Sequence, residues 1–181
     1  LSIRRQRQMC KETGPDPYAP LVDVPSFPVT STDLVDGEKL PDAQTGDDGV
    51  SPQLSWSDLP EGTKSIAVTC FDPDAPTASG FWHWAAFNIP VDVTELPTDA
   101  GSKEGLGVGA VVLTGDSGVQ GYYGSNPPLG HGPHRYLFAV HAVDTELPAD
   151  DVANPTQLGF NLNFHSLGRL SLIHISEPTR R

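Results

Sequence analysis

Two carboxylates stand two residues apart in Asp72-Pro-Asp-Ala-Pro76, held between two prolines directly after an apolar run. Proline fixes its own φ and donates no backbone hydrogen bond, so such a loop presents its side chains with little entropy left to lose. A few residues on, Trp82-His83-Trp84 carries an imidazole in strand-type text, and strict alternation would turn His83 away from both tryptophans. The third feature is the breaker-rich run from Gly124 to Pro133 that feeds His134-Arg-Tyr136. In a strand, His134 and Tyr136 share one face and Arg135 takes the other. Between Glu12 and Gly168 the chain has a single arginine, Arg135. A specific ion pair explains an arginine kept in a sequence that otherwise avoids it, and Asp74 or its neighbour offers the planar carboxylate that a guanidinium grips in a fork.

The elements that position these groups are mostly strands. Residues 64–71, 81–89, 110–114 and 134–143 are β-branched, aromatic or apolar runs bounded by Gly, Pro and Asp, and 27–32 is a weaker one. The 134–143 run is apolar on both faces, which predicts a central strand. From Thr156 to about Leu170, Leu158, Leu162 and Leu167 recur at helical spacing with Phe160 and Phe164 beside them, predicting a late amphipathic helix. Eighteen glycines and eighteen prolines punctuate the 181 residues throughout, which favours strands and turns over a helical bundle in one domain.

Charge and composition narrow the function. Twenty-three acids face eleven bases, and from Glu12 to Gly168 the count is 22 against four, a balance that repels a phosphate backbone or an anionic lipid surface. Nucleic acid is therefore not an expected partner. No apolar stretch reaches the roughly 18 residues of a membrane span. Cys10 and Cys70 provide neither a disulfide framework nor a metal knuckle, which suits a reducing, cytoplasmic compartment. The basic leader, residues 1–15, lacks an apolar signal core and is expected to be disordered or non-native.

Taken in order, Asp72-Pro-Asp-Ala-Pro76, Trp82-His83-Trp84 and Gly124-Ser-Asn-Pro-Pro-Leu-Gly-His-Gly-Pro-His-Arg-Tyr136 closely resemble the motifs of the phosphatidylethanolamine-binding protein family, in its small bacterial and archaeal, Raf-kinase-inhibitor-like branch. The resemblance implies a mostly β fold: a β-sandwich of a large central antiparallel sheet on a smaller one, with Greek-key connections and peripheral and C-terminal helices, over residues 16–169. It implies a small surface pocket for an anion such as phosphate or a phosphoethanolamine-like head group. By position, Asp72, His83, His134 and Tyr136 would line it, with Ala75, Pro76, Gly124, Pro127 and Pro128 as its wall and Asp74–Arg135 as a structural ion pair. Asn126 stands where relatives often carry glycine and would narrow the rim. Residues 170–181 resemble nothing in the family, read as a foreign tail, and would leave an edge strand missing or replaced.

The residue chemistry agrees with an anion site. Imidazoles, a phenol and backbone N–H groups donate hydrogen bonds that strengthen when the acceptor is charged. Asp72 would hold an imidazole in its donor tautomer or engage an ammonium group on the ligand. With no lysine or arginine facing the site, binding is expected to be weak and to strengthen below about pH 6.5 as the histidines protonate. The reading is a non-enzymatic module without metal or cofactor, monomeric or homodimeric, that binds a small anionic or phosphorylated ligand and regulates a partner protein. The alternatives are an inhibitor that docks a kinase or protease, and a metal-dependent hydrolase using Asp72, His83 and His134. The last lacks a nucleophile, since Cys70 reads as core and Ser125 has no evident base.

Overall fold

The computed structural model describes residues 14–101 and 106–177. Among them the chain forms β1 (Val29–Thr30), β2 (Leu54–Trp56), β3 (Ser65–Asp72), β4 (Phe81–Pro90), β5 (Glu95–Leu96), β6 (Val111–Val112), β7 (His134–Val143), helix α1 (Pro155–His165) and β8 (Ser166–Ser176). Two antiparallel sheets result, a five-stranded one in the order β6-β4-β3-β7-β8 and a three-stranded one in the order β1-β2-β5. The fold is mostly β, and its sheets are open.

The large sheet is covered on both faces, which explains why β3 and β7 read as unbroken apolar runs rather than alternating ones. One face carries Val68, Cys70, Trp84, Tyr136 and Phe138 and packs on Leu54 and Trp56 of the small sheet. The other carries Ala67, Ala85 and Phe87 and packs on Leu158 and Leu162 of α1. Each such large side chain, fully withdrawn from water, contributes about 1.5–3 kcal/mol. All ten residues of β7 are buried. The sheet's centre, however, is β3, with β7 between it and β8.

The C-terminal stretch departs from the sequence reading in two ways. Helix α1 starts as its residues dictate, with the Asn154 side chain accepting the Gln157 N–H at 2.9 Å and Pro155 at the first position. It stops at His165, five residues earlier than the leucine spacing suggests. From there burial follows a period of two, with Gly168, Leu172, His174 and Ser176 inside. The stretch pairs with β7 from His134↔Ser176 to Val143↔Ser166. Residues 166–176, which include 170–176 of the atypical tail, thus hold the edge position beside β7. Residues 178–181 of that tail, and 1–13 of the leader, lie outside the described residues. Gly14 and Pro15, also assigned to the leader, instead offer their carbonyls to Arg135 at 3.1 Å each.

Candidate functional site

The ends of β3, β4 and β7 that meet at one end of the large sheet build a pocket of about 260 Å³. Asp72, Ala75, Pro76, His83, Pro127, Pro128, His134 and Tyr136 line it, together with Thr77, Phe81, Tyr123 and Asn126. Among the described residues it contains no lysine or arginine. Asp72 is the last residue of β3, directly opposite Phe81 of β4. Only 2% exposed, its carboxylate is fully engaged: Oδ1 accepts the Asp74 N–H at 2.8 Å and Oδ2 accepts His134 Nδ1 at 2.8 Å. The first bond is an Asx turn that fixes the start of the Pro-rich loop. The second fixes the ring of His134 and leaves Nε2, on its far side, buried without a partner.

His83 reaches the site by a route that alternation does not foresee. Cys70 pairs with Trp84 and Phe71 with Trp82, so His83 is an extra residue in β4, a bulge. The bulge puts His83 and Trp84 on the same face and Trp82 on the opposite one, where Trp82 packs tilted against Phe71 at 4.4 Å between ring centroids. His83 packs against Phe81 at 4.8 Å and edge-on to Tyr136 at 5.0 Å, and its Nδ1 donates to the Tyr123 carbonyl at 2.8 Å. Burial lowers its pKa, an effect that the Tyr123 carbonyl and the Asp72 charge partly offset. Burial, then the charge of Asp72, raises the Tyr136 phenol far above its usual value, so its hydroxyl keeps its proton and remains a donor.

The tautomers follow from these partners. When neutral, His83 spends its proton on a carbonyl and His134 on a carboxylate, and each presents an unprotonated Nε2. This corrects the expectation that Asp72 holds its imidazole ready as a donor: the neutral ring is an acceptor on its ligand side, and it becomes a donor only as an imidazolium. With both rings neutral, the Tyr136 hydroxyl is, among Asp72, His83, His134 and Tyr136, the side-chain donor left for an anion, and a ring donor requires an imidazolium.

Arg135 points away from the pocket and grips Asp74 in a fork, Nε to Oδ2 at 2.7 Å and Nη2 to Oδ1 at 2.8 Å, while its backbone N–H also donates to Oδ2. The pair ties the loop that carries Asp72, Ala75 and Pro76 to the first residues of β7. Gly124, assigned to the wall, does not line the pocket. It lies against the 44–46 backbone, where a Cβ would sit 2.2 Å from the Gly46 carbonyl oxygen, so its place is structural. Thr77, Phe81 and Tyr123 were not foreseen. Phe81 follows from its register opposite Asp72, but nothing in the types or spacing of the other two marks them. His131, exposed at the rim, stands edge-on to His134 at 5.8 Å and was likewise missed. Asp72 and His134 bond each other, and among the described residues no three His, Cys, Asp or Glu side chains are grouped as the ligands of an ion would be.

The model of the phosphatidylethanolamine-binding protein family matches residues 30–175. The chain belongs to that family. It is 47% identical to the UPF0098 protein YbhB of Escherichia coli K12 over 150 residues, 78% of this chain and 94% of that one. To YbcL of the same organism it is 44% identical over 161 residues, 84% and 88% of the two chains. The crystal structure of E. coli YbcL, described as a new member of the mammalian family, superposes with a TM-score of 0.79 over 85% of this chain and 99% of that one at 42% identity. The homologue CT736 of Chlamydia trachomatis follows with a TM-score of 0.72 at 27% identity, covering 85% and 99%. Membership of the phosphatidylethanolamine-binding protein family supports a ligand-binding or regulatory role in general terms. No helix among the described residues is long and apolar enough to cross a membrane.

Proposed function

We propose that this protein is a non-enzymatic binder of small anionic or phosphorylated ligands, taken up in the Asp72–His83–His134–Tyr136 pocket, and that occupancy signals to a partner protein. The observation that carries the proposal is the buried, unpartnered Nε2 of His134, braced from behind by Asp72. A buried polar atom without a partner is costly, and a ligand hydroxyl donating to Nε2, or an anionic oxygen accepting from it once the ring is protonated, would relieve it. The small volume suits a phosphate or head group rather than an extended molecule. Beyond Asp72 and the two imidazoles the lining holds no nucleophile with a base beside it, which supports binding over turnover.

Because neutral His83 and His134 are both acceptors on the ligand side, an anion with no proton of its own gains a ring donor only from an imidazolium. Sulfate affinity is therefore expected to fall between about pH 5.5 and about pH 8. A phosphate monoester carries a hydroxyl in its monoanion and gains charge near pH 6, so its dependence is shallower. NMR titration with sodium sulfate and with phosphoethanolamine at both pH values tests this. Shifts at His83, His134 and Tyr136 that saturate for sulfate only at the lower pH are the expected result. Equal sulfate affinity at both, or shifts mapping elsewhere, overturns the site.

A further inference from the structure

On the opposite face of the same strand ends lies a second and larger cavity, of about 430 Å³. Its floor is Thr69 and Phe71 of β3, Trp82 of β4 and His141 of β7, its roof is α1 around Gly159 and Phe160, and Tyr18 and Arg169 close one side. Phe71 and Trp82 are the chain neighbours of Asp72 and His83, so the two pockets lie back to back through a single layer of backbone. Apart from one end, the walls are apolar and largely aromatic.

That end is polar. Thr69 is 1% exposed and its Oγ1 has no well-formed hydrogen bond, and the same holds for the Tyr18 hydroxyl that meets it. Arg169 lays its guanidinium over the Tyr18 ring, 4.7 Å from the centroid, and has no carboxylate partner among the described residues. In a chain with 23 acids to eleven bases, an arginine that no described carboxylate neutralises, at the mouth of an aromatic cavity, can receive a negative group. Burial holds His141 neutral, its pKa pushed down to about 3, and holds Tyr18 protonated, its pKa pushed up to about 12. At neutral pH the guanidinium is thus the cation the cavity offers, with two hydroxyls beside it.

We infer that this cavity is a second ligand site, which takes a small amphipathic monocarboxylate with its apolar body between Trp82, Phe71 and α1 and its carboxylate on Arg169, Thr69 and Tyr18. The volume lies within the range of sites for small organic ligands. A carboxylate suits the polar end because a guanidinium fork and two hydroxyls can satisfy both its oxygens. A phosphate lacks the apolar body that the walls would cover.

The test is an NMR titration at neutral pH with octanoate and phenylacetate, using octanol as the uncharged control. Saturable shifts of the Trp82 indole and the Thr69 and Gly159 amides are expected with at least one acid. Arg169→Gln should weaken that acid at least about tenfold and leave octanol unchanged. Thr69→Val, which keeps the side chain's size, should weaken the acid in the same direction, and Gly159→Leu, which raises helix propensity while filling the roof, should block acid and alcohol alike. Saturating sulfate at low pH should not displace the acid. Absence of saturable shifts, equal weakening of acid and alcohol by Arg169→Gln, or shifts that map to His83 and His134 would each overturn the assignment.

Discussion

Replacing Arg135 with methionine tests the brace behind the anion pocket. The side chain is about 6% exposed, and its guanidinium makes two bonds to the Asp74 carboxylate and two to the carbonyls of Gly14 and Pro15. Methionine fills a similar volume but leaves the carboxylate with only the Arg135 backbone N–H. Stranding one member of a buried pair costs about 3–5 kcal/mol. Because Asp74 is 17% exposed and water can reach part of it, the lower figure, about 3 kcal/mol, is expected. For a domain of this size that lowers Tm by about 10 °C. Asp74→Asn strands the more deeply buried guanidinium and should cost at least as much. The double variant Arg135→Met, Asp74→Leu should recover about 2 kcal/mol of the summed losses, because neither charge is then stranded. Thermal and urea melts followed by circular dichroism read all three. A loss below about 2 °C for Arg135→Met, or an additive double variant, would refute the reasoning.

Acid stability gives a second expectation. Burial pushes His141 down to about 3 and His174 down to about 4, so the unfolded chain takes up protons at about pH 6.5 while the folded one does not. Their contribution is complete above about pH 6.5 and is lost as pH falls below it, so urea midpoints should decline toward pH 4, and the decline should flatten in His174→Leu. Gly124→Ala places a Cβ 2.2 Å from the Gly46 oxygen and should cost about 1–3 kcal/mol while weakening sulfate, read by melting and titration on the same sample. Asp72→Asn removes a charge that raises the His83 pKa against the effect of burial, so sulfate binding at about pH 5.5 should weaken several-fold, and unchanged binding would count against a role for imidazolium in the site.

How much was legible depends on whether the signal was local. The bounds of β7 coincide with the 134–143 run, because a strand buried on both faces must be apolar throughout. Rarity alone pointed Arg135 to a carboxylate of the Asp72–Asp74 loop, since an acidic chain keeps a buried arginine only against an acid, and the fork identifies that carboxylate as Asp74. The end of α1 was illegible: Leu158, Leu162 and Leu167 satisfy a helical period, yet Leu167 lies in β8, and what decides this is the pairing of 166–176 with the open edge of β7. β2 and β5, three and two residues long, are too short to show a period and exist through pairing with each other and with β1. Within the site, the residues that carry motif chemistry could be read directly. Thr77 and Tyr123 could not, because they line the pocket by where the chain passes rather than by what they are.

The extra residue at His83 makes β4 a phase converter. On one side of it the strand counts Trp82 toward the aromatic cavity, and on the other it counts Trp84 toward the sandwich core. A one-residue deletion between Phe81 and Trp84 would restore even counting and carry a tryptophan to the wrong side of the sheet, so both pockets would be lost in a single event even though neither shares a lining side chain with the other. Point substitutions at either pocket are separable, whereas a length change in this stretch is not. The spacing from Asp72 to His83 and on to Trp84 therefore constrains the molecule more tightly than the identities of the residues between them.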